Sequence, residues 1–178
     1  GSTDLSEAVA RYAFKLMAYK DEYEVARLYT SGEFQRRLEQ QFDGDYKLRF
    51  HLAPPLLAKK DAEGRLLKRE YGAWVFTAFK VVAKLRFLRG TALDVFGYTG
   101  ERRMERRLIE DYAATVGMLV DGLNAGNVAL AAEIASIPEH IRGYGHVKEA
   151  HLHKAKAREA DLLAKWNNPR EIPLAQIA

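Results

Sequence analysis

Asp43-Gly44-Asp45-Tyr46-Lys47-Leu48-Arg49-Phe50-His51-Leu52 is the stretch in which the hydrophobic period of this chain changes. Tyr46, Leu48, Phe50 and Leu52 alternate with Lys47, Arg49 and His51, the two-residue repeat of a strand buried on one face. Pro54 and Pro55 close it, since neither donates a ladder hydrogen bond. Beyond them Lys60-Asp61-Ala62-Glu63-Gly64 has the composition of a turn, and Leu66 to Tyr71 can return as an antiparallel mate. No other segment carries a clean strand pattern. The expected fold is therefore mainly α: a helical domain with one small antiparallel β-hairpin.

Upstream of this stretch the apolar residues recur at helical spacing. Leu5, Val9, Tyr12, Ala13, Leu16 and Met17 line one face of a helix expected over Asp4 to Tyr19, with Asp4 and Glu7 spaced as a cap and its third helical residue. Asp21 to Tyr29 reads as a second helical stretch that can continue from the first, because no Gly or Pro intervenes. Thr30 and Glu33 have the spacing of a capping box, which predicts a third helix carrying Phe34, Leu38 and Phe42 on one stripe.

Downstream, Trp74 to Leu88 reads as a helix with Trp74, Ala78, Val82 and Leu85 on its stripe and Val75 and Phe79 widening it. Arg89-Gly90-Thr91 and the loop Phe96-Gly97-Tyr98-Thr99-Gly100 lead into a helix of five or six turns with Met104, Leu108, Tyr112, Val116, Leu119 and Leu123 on its apolar side. Ser136, Pro138 and Glu139 give a cap, an early proline and a capping-box acid for a short turn that Gly143 can close. The last helix, about Lys148 to Trp166, is rich in strong helix formers and ends at Asn167-Asn168-Pro169. No repeat or linker divides the sequence, so residues 1–178 are expected to form a single domain, with Gly1 and Ser2 read as a tag remnant.

Composition narrows the function classes. With 178 residues, 48% of them hydrophobic, the chain can bury a substantial core. No run approaches the roughly 18 apolar residues of a membrane span, and the N-terminal residues lack signal-peptide design, so a cytoplasmic location is expected. Cysteine is absent, which excludes disulfides, thiolate nucleophiles and cysteine-held clusters within these residues. A formal charge of +4 spread over 28 basic and 24 acidic residues without a single-sign block argues against nucleic acid, as does the lack of RNA-binding or zinc-finger patterns.

The same sequence lacks a GxSxG elbow, a P-loop, an HExxH pair and a GxGxxG fingerprint. His146, His151 and His153 lie close together, yet on one helix His151 and His153 point about 200° apart and cannot share an ion. Glu22 with Glu24, and Glu110 with Asp111, read as surface charge. No catalytic residue and no metal ligand is expected. The concentrated feature is cationic. Arg102, Arg103, Arg106 and Arg107 crowd the first turns of a helix, where the backbone dipole disfavours cations and each like-charged pair one turn apart opposes folding by ~0.2–0.5 kcal/mol. The compensating anion can be the chain's own carboxylates, such as Asp94, Glu110 and Asp111, a partner's surface, or a phosphate. A second basic turn, His140 to Lys148, holds Arg142, His146 and Lys148 around two glycines, a composition that can cradle phosphate.

Four blocks carry a resemblance: Tyr19-Lys20-Asp21-Glu22-Tyr23-Glu24-Val25-Ala26-Arg27-Leu28-Tyr29, Phe50-His51-Leu52-Ala53-Pro54-Pro55-Leu56-Leu57, Leu88 through Arg107, and Ile141 through Glu149. From about Tyr12 to Lys165 the chain resembles the C-terminal region of fused indolepyruvate ferredoxin oxidoreductases. Such enzymes oxidatively decarboxylate aryl 2-oxoacids to acyl-coenzyme A, passing electrons to ferredoxin through thiamin diphosphate and iron-sulfur clusters held by other segments.

The resemblance thus implies a domain excised from the C-terminal end of a larger enzyme. It implies no cofactor within these residues and, as partners, the catalytic domains of the same enzyme, with a homodimer interface as a further role. The leading expectation is a non-catalytic structural or docking domain. Alternatives are a binding module in which Arg102, Arg103, Arg106, Arg107, Arg142, His146 and Lys148 grip coenzyme A phosphates or the acidic surface of ferredoxin, and an independent helical interaction protein sharing ancestry only.

Overall fold

The computed structural model describes residues 3–53, 58–59, 62 and 67–168. It is mainly helical. Among the described residues seven α-helices run in the order α1 (Asp4–Met17), α2 (Glu22–Thr30), α3 (Glu33–Gln41), α4 (Trp74–Lys84), α5 (Gly100–Asp121), α6 (Val128–Ala135) and α7 (His146–Asn167). Strands β1 (Phe50–Leu52) and β2 (Arg69–Tyr71) stand between α3 and α4, and 3₁₀ turns occupy Leu85–Leu88 and Ile137–His140. The strands pair antiparallel with Phe50 opposite Tyr71, His51 opposite Glu70 and Leu52 opposite Arg69, which is the expected hairpin. Its strands are three residues each, so Tyr46 and Leu48 fall outside the ladder. Pro54, Pro55, Leu66, most of the Lys60–Gly64 turn, Pro169 and the Gly1-Ser2 pair lie outside the described residues.

The chain packs as two compact units, residues 1–19 with 105–178, and residues 20–104. In the first, α1 packs on α6 and on the 3₁₀ turn, which also contacts α7. Ala8, Tyr12, Leu108, Tyr112, Leu119, Ala131, Ile134, Ala135, Ile137, Ile141, Ala155 and Leu162 are its buried hydrophobic residues, with Leu119, Ala131 and Ala135 fully enclosed. The Tyr112 hydroxyl donates to the Ala135 carbonyl at 2.9 Å, so a phenol that burial would otherwise penalise ties α5 to the end of α6. Tyr12 donates to Glu139 at 3.0 Å and Lys15 Nζ donates to the carbonyls of Pro138 and Glu139 at 2.7 and 3.0 Å, which fastens α1 to the 3₁₀ turn.

In the second unit α2 packs on α4 and α3. Four rings organise it. Tyr29 meets Phe34 and Phe50 edge-on at 4.9 and 5.4 Å and stacks on Phe79 at 5.2 Å, and Phe50 meets Phe79 edge-on at 5.7 Å. Each such pair adds ~0.5–1.5 kcal/mol beyond the burial itself, so the cluster joins α2, α3, β1 and α4.

Several local expectations are corrected. Helices α1 and α2 are separate: Asp21, in extended backbone, caps α2 by accepting from Glu24 N at 2.8 Å. Asp4 is the first residue of α1 and the cap position is Thr3, whose hydroxyl donates to Glu7. Met17 is exposed, and Ala8 joins Tyr12 on the buried side. Thr30 is not a cap. It ends α2 with its hydroxyl donating to Ala26 O at 2.8 Å, and Gly32, at φ +82°, precedes α3. Phe42 is exposed. Helix α4 stops at Lys84 and tightens into a 3₁₀ turn, and its buried side is centred on Val75, with Trp74 and Leu85 exposed. The Ser136 hydroxyl bonds back to Ala132 O instead of capping the 3₁₀ turn. Helix α6 has no counterpart in the sequence reading.

Candidate functional site

The arginines at the start of α5 find different surroundings. Arg102 is 8% exposed, with Nε 3.4 Å from Glu22 Oε2 and Nη2 3.9 Å from Glu101. Arg107 faces Asp111 one turn on at 3.9 Å, with most of its side chain in solvent. Arg103 is exposed and Arg106 half-buried. Arg102 and Arg103 belong to the second unit, and Arg106 and Arg107 to the first, with Arg142, His146 and Lys148. Lys148 Nζ reaches Glu105 at 2.5 Å with both side chains largely buried. Arg142 holds Glu139 through its carbonyl at 3.0 Å and its carboxylate at 3.2 Å. His146 is the exposed first residue of α7. At Arg102, Arg107, Arg142 and Lys148, the compensating anion is the chain's own carboxylate.

Asp94, the acid expected beside the arginines, instead cages the loop before α5. Its carboxylate accepts from Gly90 N at 2.9 Å and Gly97 N at 3.0 Å, and is 4% exposed. A Cβ on Gly97 would lie 2.5 Å from Asp94 Oδ2, so only glycine permits this approach. Tyr23 packs edge-on to Phe96 at 5.2 Å, and burial, with the neighbouring Asp94 carboxylate, pushes its phenol up to about 12. Asp21 makes a second anchor: Arg89 meets its two oxygens at 2.5 and 2.6 Å while Asp21 caps α2. The helix start and the glycine loop are thus fixed by two buried carboxylates, Asp21 and Asp94.

Within the second unit these groups border an apolar cleft of about 460 Å³. Val25 of α2, Leu52 of β1, and Trp74, Val75, Phe79 and Val82 of α4 form its apolar wall, together with Phe96 of the loop. Glu22 and Arg102 close one end, with Lys20 and Asp21 beside them. Burial raises the Glu22 carboxyl above its ordinary range despite the Arg102 guanidinium, which acts in the opposite direction. Glu22, read from the sequence as surface charge, is therefore a largely buried group with a side chain 17% exposed. Trp74 lines the same cleft and is 64% exposed. Apolar volume with a donor and an acceptor at one end suits an apolar guest carrying a polar terminus.

Sequence reasoning missed Glu22, Glu105, Asp21 and the cleft. A signal existed for one of them: Arg102, Glu105, Leu108 and Tyr112 recur at helical spacing, so the buried side of α5 runs on into charged residues. Among the described residues no group of three or more His, Asp or Glu side chains is placed to hold a metal ion, and no helix is long and apolar enough to cross a membrane.

These features define a mainly helical protein built of two units, with a charge-ended apolar cleft in the second. The chain belongs to the family described as "Family of unknown function (DUF6537)", which matches residues 1–161. No curated protein and no solved structure matches it.

Proposed function

We propose that this chain is a non-catalytic docking domain of a cytoplasmic indolepyruvate ferredoxin oxidoreductase, seated on the catalytic domains that hold thiamin diphosphate and the iron-sulfur clusters. The observation that carries the reading is the apolar cleft of the second unit with Trp74 exposed along it. The four sequence blocks that resemble the oxidoreductase region support the choice of partner, and three of them supply residues of this cleft. The guest is an apolar segment of the catalytic domains with a polar group that meets Glu22 and Arg102. Burying the exposed part of an indole of this size contributes about 2–4 kcal/mol before ordering losses.

The test is sedimentation of the 178-residue chain with the catalytic domains prepared separately. Wild type should co-sediment, and Trp74→Ser should weaken association by about 30-fold or more, as for a central aromatic anchor. Val120→Ser, at a residue 60% exposed in the first unit, should leave it unchanged. Equal affinities for Trp74→Ser and wild type would refute the assignment of the cleft.

A further inference from the structure

We propose that the first unit binds a compact polyphosphate group in a basic cleft lined by His140, Arg142, His151, Lys154 and Arg158. The cleft is about 500 Å³ in volume, and apart from these five side chains its lining is Ala155. His140 ends the 3₁₀ turn and Arg142 follows it, while His151, Lys154 and Arg158 recur at helical spacing along one side of α7. The turn between the two elements depends on Gly143, at φ +93°, where a Cβ would stand 2.8 Å from Val147 Cγ1.

Hydrogen bonds fix the lining while leaving donors over. His151 Nδ1 donates to the Arg142 carbonyl at 2.8 Å, which directs its other nitrogen elsewhere. Arg142 meets Glu139 at 3.2 Å and Arg158 meets Glu133 at 2.9 Å, each through Nη2. A guanidinium carries five N–H donors in a rigid fork, so an acid along one edge orients it and leaves others for a second anion. Arg158 Nη1 lies 3.4 Å from His140 Nε2, which draws the imidazole to the same cleft. Lys154 is exposed and makes no ion pair among the described residues. Three permanent cations thus face two acids, with two imidazoles in addition. Lys154 and Arg158 repel each other one turn apart.

The shape selects among anions. Donors converge from a loop and from a helix on a concave volume, which fits a compact group with many acceptor oxygens better than an extended acidic peptide. More than one phosphate is required to engage Arg142 and the Lys154–Arg158 row together, since four helical residues span about 6 Å. Of the cations expected from the sequence to bind an anion, this site keeps only Arg142. The others at the start of α5 and the start of α7 are not part of its lining.

Titration calorimetry of the chain with inorganic tripolyphosphate at low salt tests the site. One binding event is expected, weakening as salt rises. Lys154→Gln combined with Arg158→Gln should reduce affinity at least about tenfold, because two charge-assisted contacts are lost. Glu133→Gln should tighten binding by freeing an Arg158 edge, and Lys80→Gln with Lys84→Gln on α4 should leave it unchanged. Circular dichroism verifies that each variant is folded. The proposal is overturned if wild type takes up no tripolyphosphate, if the double variant on α7 binds as wild type does, if Glu133→Gln fails to tighten binding, or if poly-glutamate binds where tripolyphosphate does not.

Discussion

Glu22, Glu105 and Asp94 are carboxylates that the fold withdraws from water, and each is met by a specific donor or charge. Glu105 takes Lys148, Glu22 takes Arg102, and Asp94 takes two backbone N–H groups. Removing one partner of such a pair leaves the other stranded, which is why their contribution is best judged through the survivor. Buried phenols offer a sharper test. Burial pushes Tyr112 up to about 12 from an ordinary 10.0, with Tyr23 shifted to a similar value. The folded chain therefore keeps a phenolic proton that the unfolded chain releases. This contribution to stability is fully present below about pH 10 and is lost as pH rises through 10 toward 12. Urea midpoints should fall over that window. Tyr112→Phe should fall less steeply while losing ~1 kcal/mol at neutral pH with its bond to Ala135 O. Identical slopes for the two proteins would contradict the burial of this hydroxyl. The spacing of Glu105 with Leu108 and Tyr112 signalled its burial, but the pairings of these carboxylates could not be read beforehand, because a charged residue within a helical pattern is assigned to solvent unless its partner, distant in sequence, is known.

At the scale of elements, the legible parts were those with one dominant signal. The alternation around Phe50 gave the hairpin, and the composition of residues 148–166 gave α7 nearly to its ends. Helix α4 was legible as a helix but not in its orientation. Trp-Val-Phe-Thr-Ala-Phe-Lys-Val-Val-Ala-Lys is apolar around most of its circumference, so periodicity cannot choose a face, and packing on α2 selects Val75 and leaves Trp74 exposed. Helix α6 was missed for a related reason. Val-Ala-Leu-Ala-Ala-Glu-Ile-Ala is almost uniformly apolar, too short for propensity to carry it, and is held by burial of Ala131, Ile134 and Ala135. The capping box at Thr30 failed because a threonine hydroxyl can serve its own helix by bonding back to a carbonyl four residues earlier. The ring cluster predicts where the second unit is most sensitive. Phe50 is 5% exposed and contacts both Tyr29 and Phe79, so Phe50→Ala should destabilise by about 3–5 kcal/mol in urea denaturation. A loss under 1 kcal/mol would mean that these rings do not organise the unit.

For the whole molecule, two units divide the features on which the functional account rests. The second has the apolar cleft, bordered by buried carboxylates, and the first has the basic cleft of the 3₁₀ turn and α7. The sequence pointed to a docking role through its resemblance and its lack of catalytic groups, and to anion binding through its basic turns; of those cations the places now proposed for binding keep only Arg102 and Arg142. Both places depend on residues far apart in the chain, such as Leu52 with Trp74 or His140 with Arg158, whose proximity no local pattern reports. Docking through the second unit can be read from the fluorescence of Trp74 in a Trp166→Phe background, with acrylamide as quencher. In the isolated chain Trp74 should emit at long wavelength and be readily quenched, as its 64% exposure requires. Adding the catalytic domains of the oxidoreductase should shift the emission to the blue and protect it from acrylamide. Emission and quenching that stay unchanged while the two proteins demonstrably associate would contradict the account, because the partner would then have docked without covering the cleft.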